Sequence, residues 1–208
     1  HRHFNTGVPL PQAVQSGAIA IAFSQTIGFG LITGSFARWR MLANLSIKTS
    51  AAITLLCVLS LLFGLGFVTS LTCLMLRPTA ALWALPATLM CLALPCLALL
   101  KPRLKLPFGM VITFPSLPAM GAIASLTFLD TLFAGLALFF LLPDNTGLPF
   151  TVLLPAFLIA LGAGITSGTP AGLGPFELTL FALLPQMPEP ELAAGILAFR
   201  LVYYALPA

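Results

Sequence analysis

Long apolar runs separated by short polar connectors dominate the chain. A helix needs about 20 apolar residues to cross a bilayer, and several runs reach that length. The predicted spans lie near residues 13–36, 50–76, 79–100, 116–142 and 150–164, followed by a re-entrant segment at 166–184 and a truncated helix at 191–208. Apolar and polar residues do not alternate as a membrane β-barrel would require. The pattern predicts an all-α integral membrane protein, a polytopic helical bundle with broken or re-entrant helices.

Composition supports this fold class. Of 208 residues, 59% are hydrophobic and only 7% are charged, with a mean hydropathy of +1.08, whereas soluble domains carry about 25% charged residues. Such a chain is neither a cytosolic enzyme nor a nucleic-acid-binding module, so we expect no direct nucleic acid contact. Because the sequence opens on His1 and stops within an apolar run, we treat residues 1–208 as a single transmembrane domain cut from a longer protein.

Basic residues cluster on alternate connectors. Six of the nine follow the first and third spans, at Arg38, Arg40, Lys48, Lys101, Arg103 and Lys105. Lysine and arginine are enriched in cytoplasmic loops. We therefore expect loops 38–48 and 101–105 to face the cytoplasm.

Glycine and proline interrupt the segment that joins the fifth and sixth apolar runs. Gly172, Gly174 and Pro175 make a continuous helix unfavourable there. Pro175 suits the first turn of a new helix, which would place Glu177 in that turn. A half-helix of this kind presents free N–H groups that bind anions in transporters. The alternative interpretation is an ordinary turn at the membrane surface.

A second polar interruption lies in the first span. Gly30 and Gly34 form a GxxxG pair, which is typical of close helix packing. Arg38 and Arg40 follow it. They either anchor the helix at the interface beside Trp39, or grip a lipid phosphate with a bidentate guanidinium.

Three charges lie deep in apolar segments. Asp130 is near the middle of its span, Glu177 opens the half-helix, and Arg200 lies within the last helix with Tyr203 and Tyr204 on its face. Charges at the bilayer centre are costly and pair with one another or line a cavity. Two interpretations remain open, namely a structural Glu177–Arg200 ion pair and a polar cavity for a charged substrate.

Several chemistries have no support in the sequence. The two histidines, His1 and His3, are at the start of the chain, and no nucleophile–base pair, metal site or phosphate-binding loop is recognisable. We expect no catalytic residues, metal or cofactor in this region.

Three segments resemble the bacterial multiple peptide resistance factor family, also called lysylphosphatidylglycerol synthase/flippase. The first runs from Thr26 to Gly34 and on through Arg38-Trp39-Arg40. The second, from Thr169 to Glu177, is similar to the family's Pro-Gly-Gly-Leu-Gly-x-Phe-Glu signature. The third, from Phe199 to Pro207, is similar to its Tyr-Arg-x-x-Tyr-Tyr-x-x-Pro ending. Ala171 replaces a usual glycine and Phe199 a frequent tyrosine.

The resemblance implies a function. Family members flip aminoacylated phosphatidylglycerol across the bacterial cytoplasmic membrane and confer resistance to cationic antimicrobial peptides. A further part of the same chain, which carries a cytoplasmic transferase domain, moves an amino acid from aminoacyl-tRNA to the lipid, and homo-oligomers are possible. In this interpretation Arg200 and the amides near Gly174 hold the lipid phosphate, while Asp130 and Glu177 neutralise the ammonium groups of the lipid. The predicted substrate-binding residues are Arg38, Arg40, Asp130, Gly172, Gly174, Glu177, Arg200, Tyr203 and Tyr204. A membrane scaffold for the transferase domain and a secondary transporter of a small anion are the alternatives.

Overall fold

The structure is a computed structural model that describes residues 6–42, 44–76, 85, 88, 89, 93, 96, 99, 100, 103–105, 111–113, 116–143 and 147–205. The described elements are almost entirely helical, as the sequence predicts. The helices are α1 (Leu10–Ile27), α2 (Gly30–Met41), α3 (Ile47–Leu76), α4 (Leu117–Leu141), α5 (Phe150–Ser167), α6 (Pro175–Leu183) and α7 (Glu189–Arg200). A 3₁₀ turn at Pro170–Gly172 joins α5 to α6, and a π-helical turn at Leu201–Ala205 follows α7.

Three helices in the described part of the chain are long and apolar enough to cross a membrane. They are Ile47–Leu76, Pro118–Leu141 and Phe150–Ser167. With 30 residues, α3 is about 45 Å long, more than the roughly 30 Å of a bilayer core. The chain is therefore a helical membrane protein.

The first predicted span, near 13–36, differs from the structure, because the chain folds back within it. Gly28 and Phe29 separate α1 from α2 with φ angles of 83° and 48°, which no right-handed helix accommodates. Contacts of Gly34 with Ala20 and of Gly17 with the Arg38 guanidinium show that α2 returns antiparallel along α1. Two helices of 18 and 12 residues thus form a hairpin instead of one continuous crossing.

A second hairpin follows the same plan. At its turn, Gly164 meets the backbone of Gly172, and nearer its open end Phe157 packs edge-on against Phe176. The short helix α6 begins at Pro175, as predicted. Both hairpins therefore begin with an 18-residue helix, turn through left-handed backbone and return as a shorter helix.

The main hydrophobic core joins α3, α4 and α5 to α6 and α7. Its fully buried members include Leu138, Phe157 and Leu192. Glycine lets the long helices approach closely, since a Cβ on Gly64 would lie 2.4 Å from Thr127 Oγ1. The core thus holds the second hairpin tightly, while α2 packs against the first half of α3, where Arg38 reaches Cys57.

The region between α3 and α4 is partly described. Most of the predicted span near 79–100 lies outside the described residues. Two short strands, β1 (Arg103–Lys105) and β2 (Val111–Thr113), pair antiparallel with Leu104 opposite Ile112. The basic connector at 101–105 therefore includes an edge of a small β-hairpin.

Candidate functional site: the meeting point of two helix hairpins

The tips of the two hairpins touch each other. The Phe29 backbone N–H donates to the Gly168 carbonyl at 2.9 Å. Gly28 is buried there, and a Cβ on it would lie 2.8 Å from the Gly168 oxygen and 3.0 Å from the Pro170 nitrogen. Only glycine fits this contact, for reasons of both space and positive φ. Two interruptions far apart in sequence thus form one junction.

Hydroxyl side chains satisfy backbone groups that the breaks leave without helical partners. Thr33 Oγ1 donates to the Gly28 carbonyl at 2.9 Å, and Ser167 Oγ donates to the Gly164 carbonyl at 2.7 Å. Ser167 and Thr169 also bond through their hydroxyls at 2.9 Å. Irregular backbone survives at membrane depth only where protein or water satisfies it. The Ser and Thr residues around each break therefore stabilise the junction.

Glu177 and Arg200 form an ion pair beside this junction. Arg200 Nε donates to Glu177 Oε1 at 2.6 Å, and Nη2 makes an ion-pair contact with the same oxygen. The side chains are 14% and 22% exposed, for Arg200 and Glu177 respectively. Arg200 Nη1 also donates to the Ala171 carbonyl at 3.2 Å, and Glu177 Oε2 accepts from the Gly174 N–H at 2.8 Å. The pair therefore joins α7 to both sides of the break before α6.

Aromatic rings enclose one side of the pair. The Arg200 guanidinium carbon lies 5.8 Å from the centre of the Phe176 ring, within the range of a cation–π contact. Phe176 stacks on Phe199, which stacks in turn on Tyr203 with ring centres 5.0 Å apart. Tyr203, predicted to share a helix face with Arg200, lies four residues after Phe199, and this spacing brings the two rings together. Tyr204 belongs to the same turn, and its side chain is outside the described part.

The amides at the start of α6 divide into occupied and free groups. The Gly174 N–H is taken by Glu177, and Pro175 has none. The Phe176 and Glu177 amides have no acceptor in the described part of the chain. These two N–H groups, with the positive end of the α6 dipole and Arg200, form an electropositive corner that suits an oxyanion, and in this structure the Glu177 carboxylate lies in it.

Gly172 and Gly174, predicted as substrate contacts, have backbone roles here. Both have positive φ, at 69° and 90°. A Cβ on Gly172 would lie 2.9 Å from the Gly164 Cα, so this glycine permits the close return of the hairpin. Ala171 has a left-handed φ of 48° as well, a conformation that costs an alanine about 1 kcal/mol or more.

Asp130 does not join the ion pair in this structure. It lies on the exposed side of α4, near Leu126 and Phe133 in the helical repeat, and forms no hydrogen bond or ion pair with any described residue. The predicted convergence of Asp130, Glu177 and Arg200 is therefore realised by the last two alone.

The two arginines of α2 have different surroundings. Arg40 is exposed, as an interfacial anchor would be, whereas Arg38 is only 7% exposed. Arg38 Nη2 donates to Cys57 Sγ at 3.9 Å. Within the described ranges, no three His, Cys, Asp or Glu side chains lie close enough to hold a metal ion.

The sequence analysis missed two features of this site. One is the contact between the two breaks, and the other is that the Ala171 carbonyl accepts a hydrogen bond from Arg200. Each break is marked in the sequence by glycine within an apolar run, Gly28 beside Phe29 in the first and Gly172 beside Ala171 in the second. Nothing in the one-dimensional pattern pairs one break with the other.

Comparison with known proteins adds one relative. No family model matches the chain. Uncharacterized protein slr0712 of Synechocystis sp. is 28% identical over 219 residues, an alignment that covers 99% of this chain and 68% of the relative. The similarity extends along the whole chain and brings no activity with it.

Proposed function

We propose that this chain is a membrane domain that flips aminoacylated phosphatidylglycerol, such as lysyl-phosphatidylglycerol, across the bacterial cytoplasmic membrane. The observation that carries the proposal is the Glu177–Arg200 pair, partly buried beside the junction of two broken helices. The resemblance of these same segments to the lysylphosphatidylglycerol synthase/flippase family supplies the substrate. A cytoplasmic transferase domain elsewhere in the same chain, and loops 38–48 and 101–105 on the cytoplasmic side, belong to this proposal.

The charges of the head group match those of the pair. Lysyl-phosphatidylglycerol carries one phosphate and two ammonium groups. Its phosphate can replace Glu177 as the partner of Arg200 and accept hydrogen bonds from the Phe176 and Glu177 backbone N–H groups. At the same time an ammonium group replaces Arg200 as the partner of Glu177. The phosphate, Arg200, Glu177 and one of the two ammonium groups then each keep an opposite partner during the exchange, which lowers the cost of moving the head group through a medium of low dielectric constant.

The junction also suits a lipid whose acyl chains stay in the bilayer. Phe29 and Leu173, one from each hairpin, are 65% and 54% exposed next to the polar backbone of the breaks. Head group and tails can therefore lie side by side, with the polar part at the breaks and the apolar part along exposed helix faces. Asp130 stays outside this exchange.

A scaffold is the second candidate, and the closed geometry of the pair favours it. All three guanidinium nitrogens of Arg200 are engaged, two by Glu177 and one by Ala171. An arginine engaged in this way ties α7 to the second hairpin whether or not a ligand binds. A carrier of a small anion would use the same electropositive corner without a lipid.

Transport by the reconstituted full chain distinguishes these functions. Proteoliposomes would contain fluorescent lysyl-phosphatidylglycerol, and dithionite would report its arrival in the outer leaflet. For the flippase we expect Glu177→Gln and Arg200→Gln to slow flipping at least about tenfold, or about 1.4 kcal/mol on the barrier. Glu189→Gln is the matched control, because Glu189 is exposed in the first turn of α7.

Lipid selectivity separates a functional pair from a structural one. Glu177→Gln should reduce the rate of flipping of lysyl-phosphatidylglycerol more than that of phosphatidylglycerol, because phosphatidylglycerol has no ammonium group for Glu177 to bind. Equal flipping by wild-type and variant proteins of equal folded yield would exclude the pair from transport, and no flipping by the wild-type protein would favour the scaffold. Arg200-dependent uptake of inorganic phosphate without lipid flipping would identify an anion carrier.

A further inference from the structure

Arg38 is a buried cation remote in sequence from the Glu177–Arg200 pair. It lies in the last turn of α2 and is 7% exposed. Nη2 reaches only the Cys57 sulfur, at 3.9 Å, and a thiol is a weak acceptor. Nε is fully buried and donates to no atom in the described part of the chain.

No described carboxylate pairs with Arg38. The acidic residues that the structure describes are Asp130, Glu177, Glu189 and Glu191, and the ion pair found among them is that of Glu177 with Arg200. A buried guanidinium carries a large desolvation cost unless an anion and hydrogen-bond acceptors surround it. Arg38 therefore calls for a counter-anion that the described residues do not supply.

A glycine and a buried hydroxyl lie on the two helices beside Arg38. On the α1 side, Gly17 presents no side chain, and its ideal Cβ position is 3.9 Å from Nη2, so the guanidinium lies against the α1 backbone. Ser50, on the face of α3 that also carries Cys57, is fully buried, and its hydroxyl has no partner among the described residues. Arg38 and Ser50 are thus two unsatisfied donors on adjacent helices.

The position of Arg38 indicates the type of anion. Met41 ends α2 three residues later, about 4.5 Å along the axis. Phe36 and Trp39 are 53% and 40% exposed beside it, as in an aromatic belt at the level of lipid head groups. Basic pockets between membrane helices at this depth bind phospholipid head groups, and a guanidinium fork matches the oxygens of a phosphate.

We infer that Arg38, between α1, α2 and α3, is a binding site for a phosphate group, carried by a resident phospholipid or by free phosphate. The guanidinium donates to the phosphate oxygens. This site does not depend on the proposed function, since it is occupied whether or not the protein moves lipid. The experiment below measures binding of phosphate or lipid rather than transport. A negative result would therefore reject this site without bearing on the proposed flippase activity.

The test uses the full chain, purified in detergent and stripped of lipid. Thermal unfolding is followed with dioleoyl-phosphatidylglycerol, with dioleoylglycerol, which has the same tails and no phosphate, and with inorganic phosphate. Native mass spectrometry counts the retained lipid. We expect phosphatidylglycerol to stabilise the wild-type protein and dioleoylglycerol to do so much less. Stabilisation by inorganic phosphate alone would identify the free ion as the source.

Variants assign the effect to Arg38. Arg38→Gln should weaken phosphate-dependent binding about tenfold or more, and Arg38→Lys should weaken it less, because it keeps the charge and loses the fork. Lys48→Gln removes an exposed charge near the same end of the hairpin and should bind as wild type does. If Arg38→Gln does not fold, the proposal is tested by the binding of Arg38→Lys and by the comparison of dioleoyl-phosphatidylglycerol with dioleoylglycerol on the wild-type protein. Equal binding by the arginine variants and wild type, or equal stabilisation by dioleoylglycerol, would overturn the assignment.

Discussion

Removal of the Glu177 charge should destabilise the protein by leaving Arg200 without its carboxylate. In Glu177→Gln, Arg200 would retain the Ala171 carbonyl at 3.2 Å and the Phe176 ring at 5.8 Å. Loss of one partner from a buried pair costs about 3–5 kcal/mol. Because the two side chains are 14% and 22% exposed, we take the lower value, about 3 kcal/mol. At 2–4 °C per kcal/mol for a chain of this size, the melting temperature falls by roughly 6–12 °C.

A double-mutant cycle measures the pair itself. Arg200→Gln should cost less than Glu177→Gln, because Glu177 keeps the Gly174 N–H at 2.8 Å. The double variant has no uncompensated charge, so it should melt above Glu177→Gln. Melting would be followed by tryptophan fluorescence in detergent, with the exposed Glu189→Gln as control. Melting of Glu177→Gln at the wild-type temperature, or strict additivity in the double variant, would refute the argument that this pair holds α7 to the second hairpin.

Two further predictions concern close glycine contacts, and both are measured as melting temperatures of purified variants. Gly28→Ala should destabilise the fold by about 2 kcal/mol or more, since its Cβ would be 2.8 Å from the Gly168 oxygen at a φ of 83°. Gly121→Ala is the control and should have little effect, because the space around Gly121 is open. Equal melting temperatures of the two variants would contradict a tight junction. Gly64→Ala should destabilise by about 1–3 kcal/mol through overpacking against Thr127 Oγ1 at 2.4 Å. Thr127→Ala should restore part of that loss, and no restoration would mean that the strain lies elsewhere.

The sequence predicts single elements more reliably than their pairing. Pro175 marks the start of α6 because proline lacks an N–H and suits the first helical turn. The helical fold class follows from apolar runs without alternation, which an amphipathic strand would need. The segment 13–36 is less well predicted. Its composition suits one continuous span, and glycine at 28 and 30 is equally compatible with close packing of a straight helix.

The candidate site shows the same division. Glu177 and Arg200 are recognisable in the sequence as charges within apolar segments, and an ion pair between them is one of the two interpretations left open. Asp130 satisfies the same criterion, yet it lies on the exposed side of α4. The spacing of residues in the sequence shows which helix face a residue lies on. It does not show which helix, if any, packs against that face.

The sequence alone determines that this chain enters a membrane, that it is helical and that a helix breaks near residues 168–174, because hydropathy and backbone propensity act over a few residues. Near residue 28 it shows only a polar, glycine-containing stretch within a predicted span. Tertiary structure decided that the first interruption is a reversal, that the two reversals meet through Phe29 and Gly168, and that Arg200 is paired while Arg38 is buried without a described acid. Those outcomes depend on close packing and on contacts between different helices, and Phe29 and Gly168 are more than 100 positions apart. No local pattern specifies such contacts.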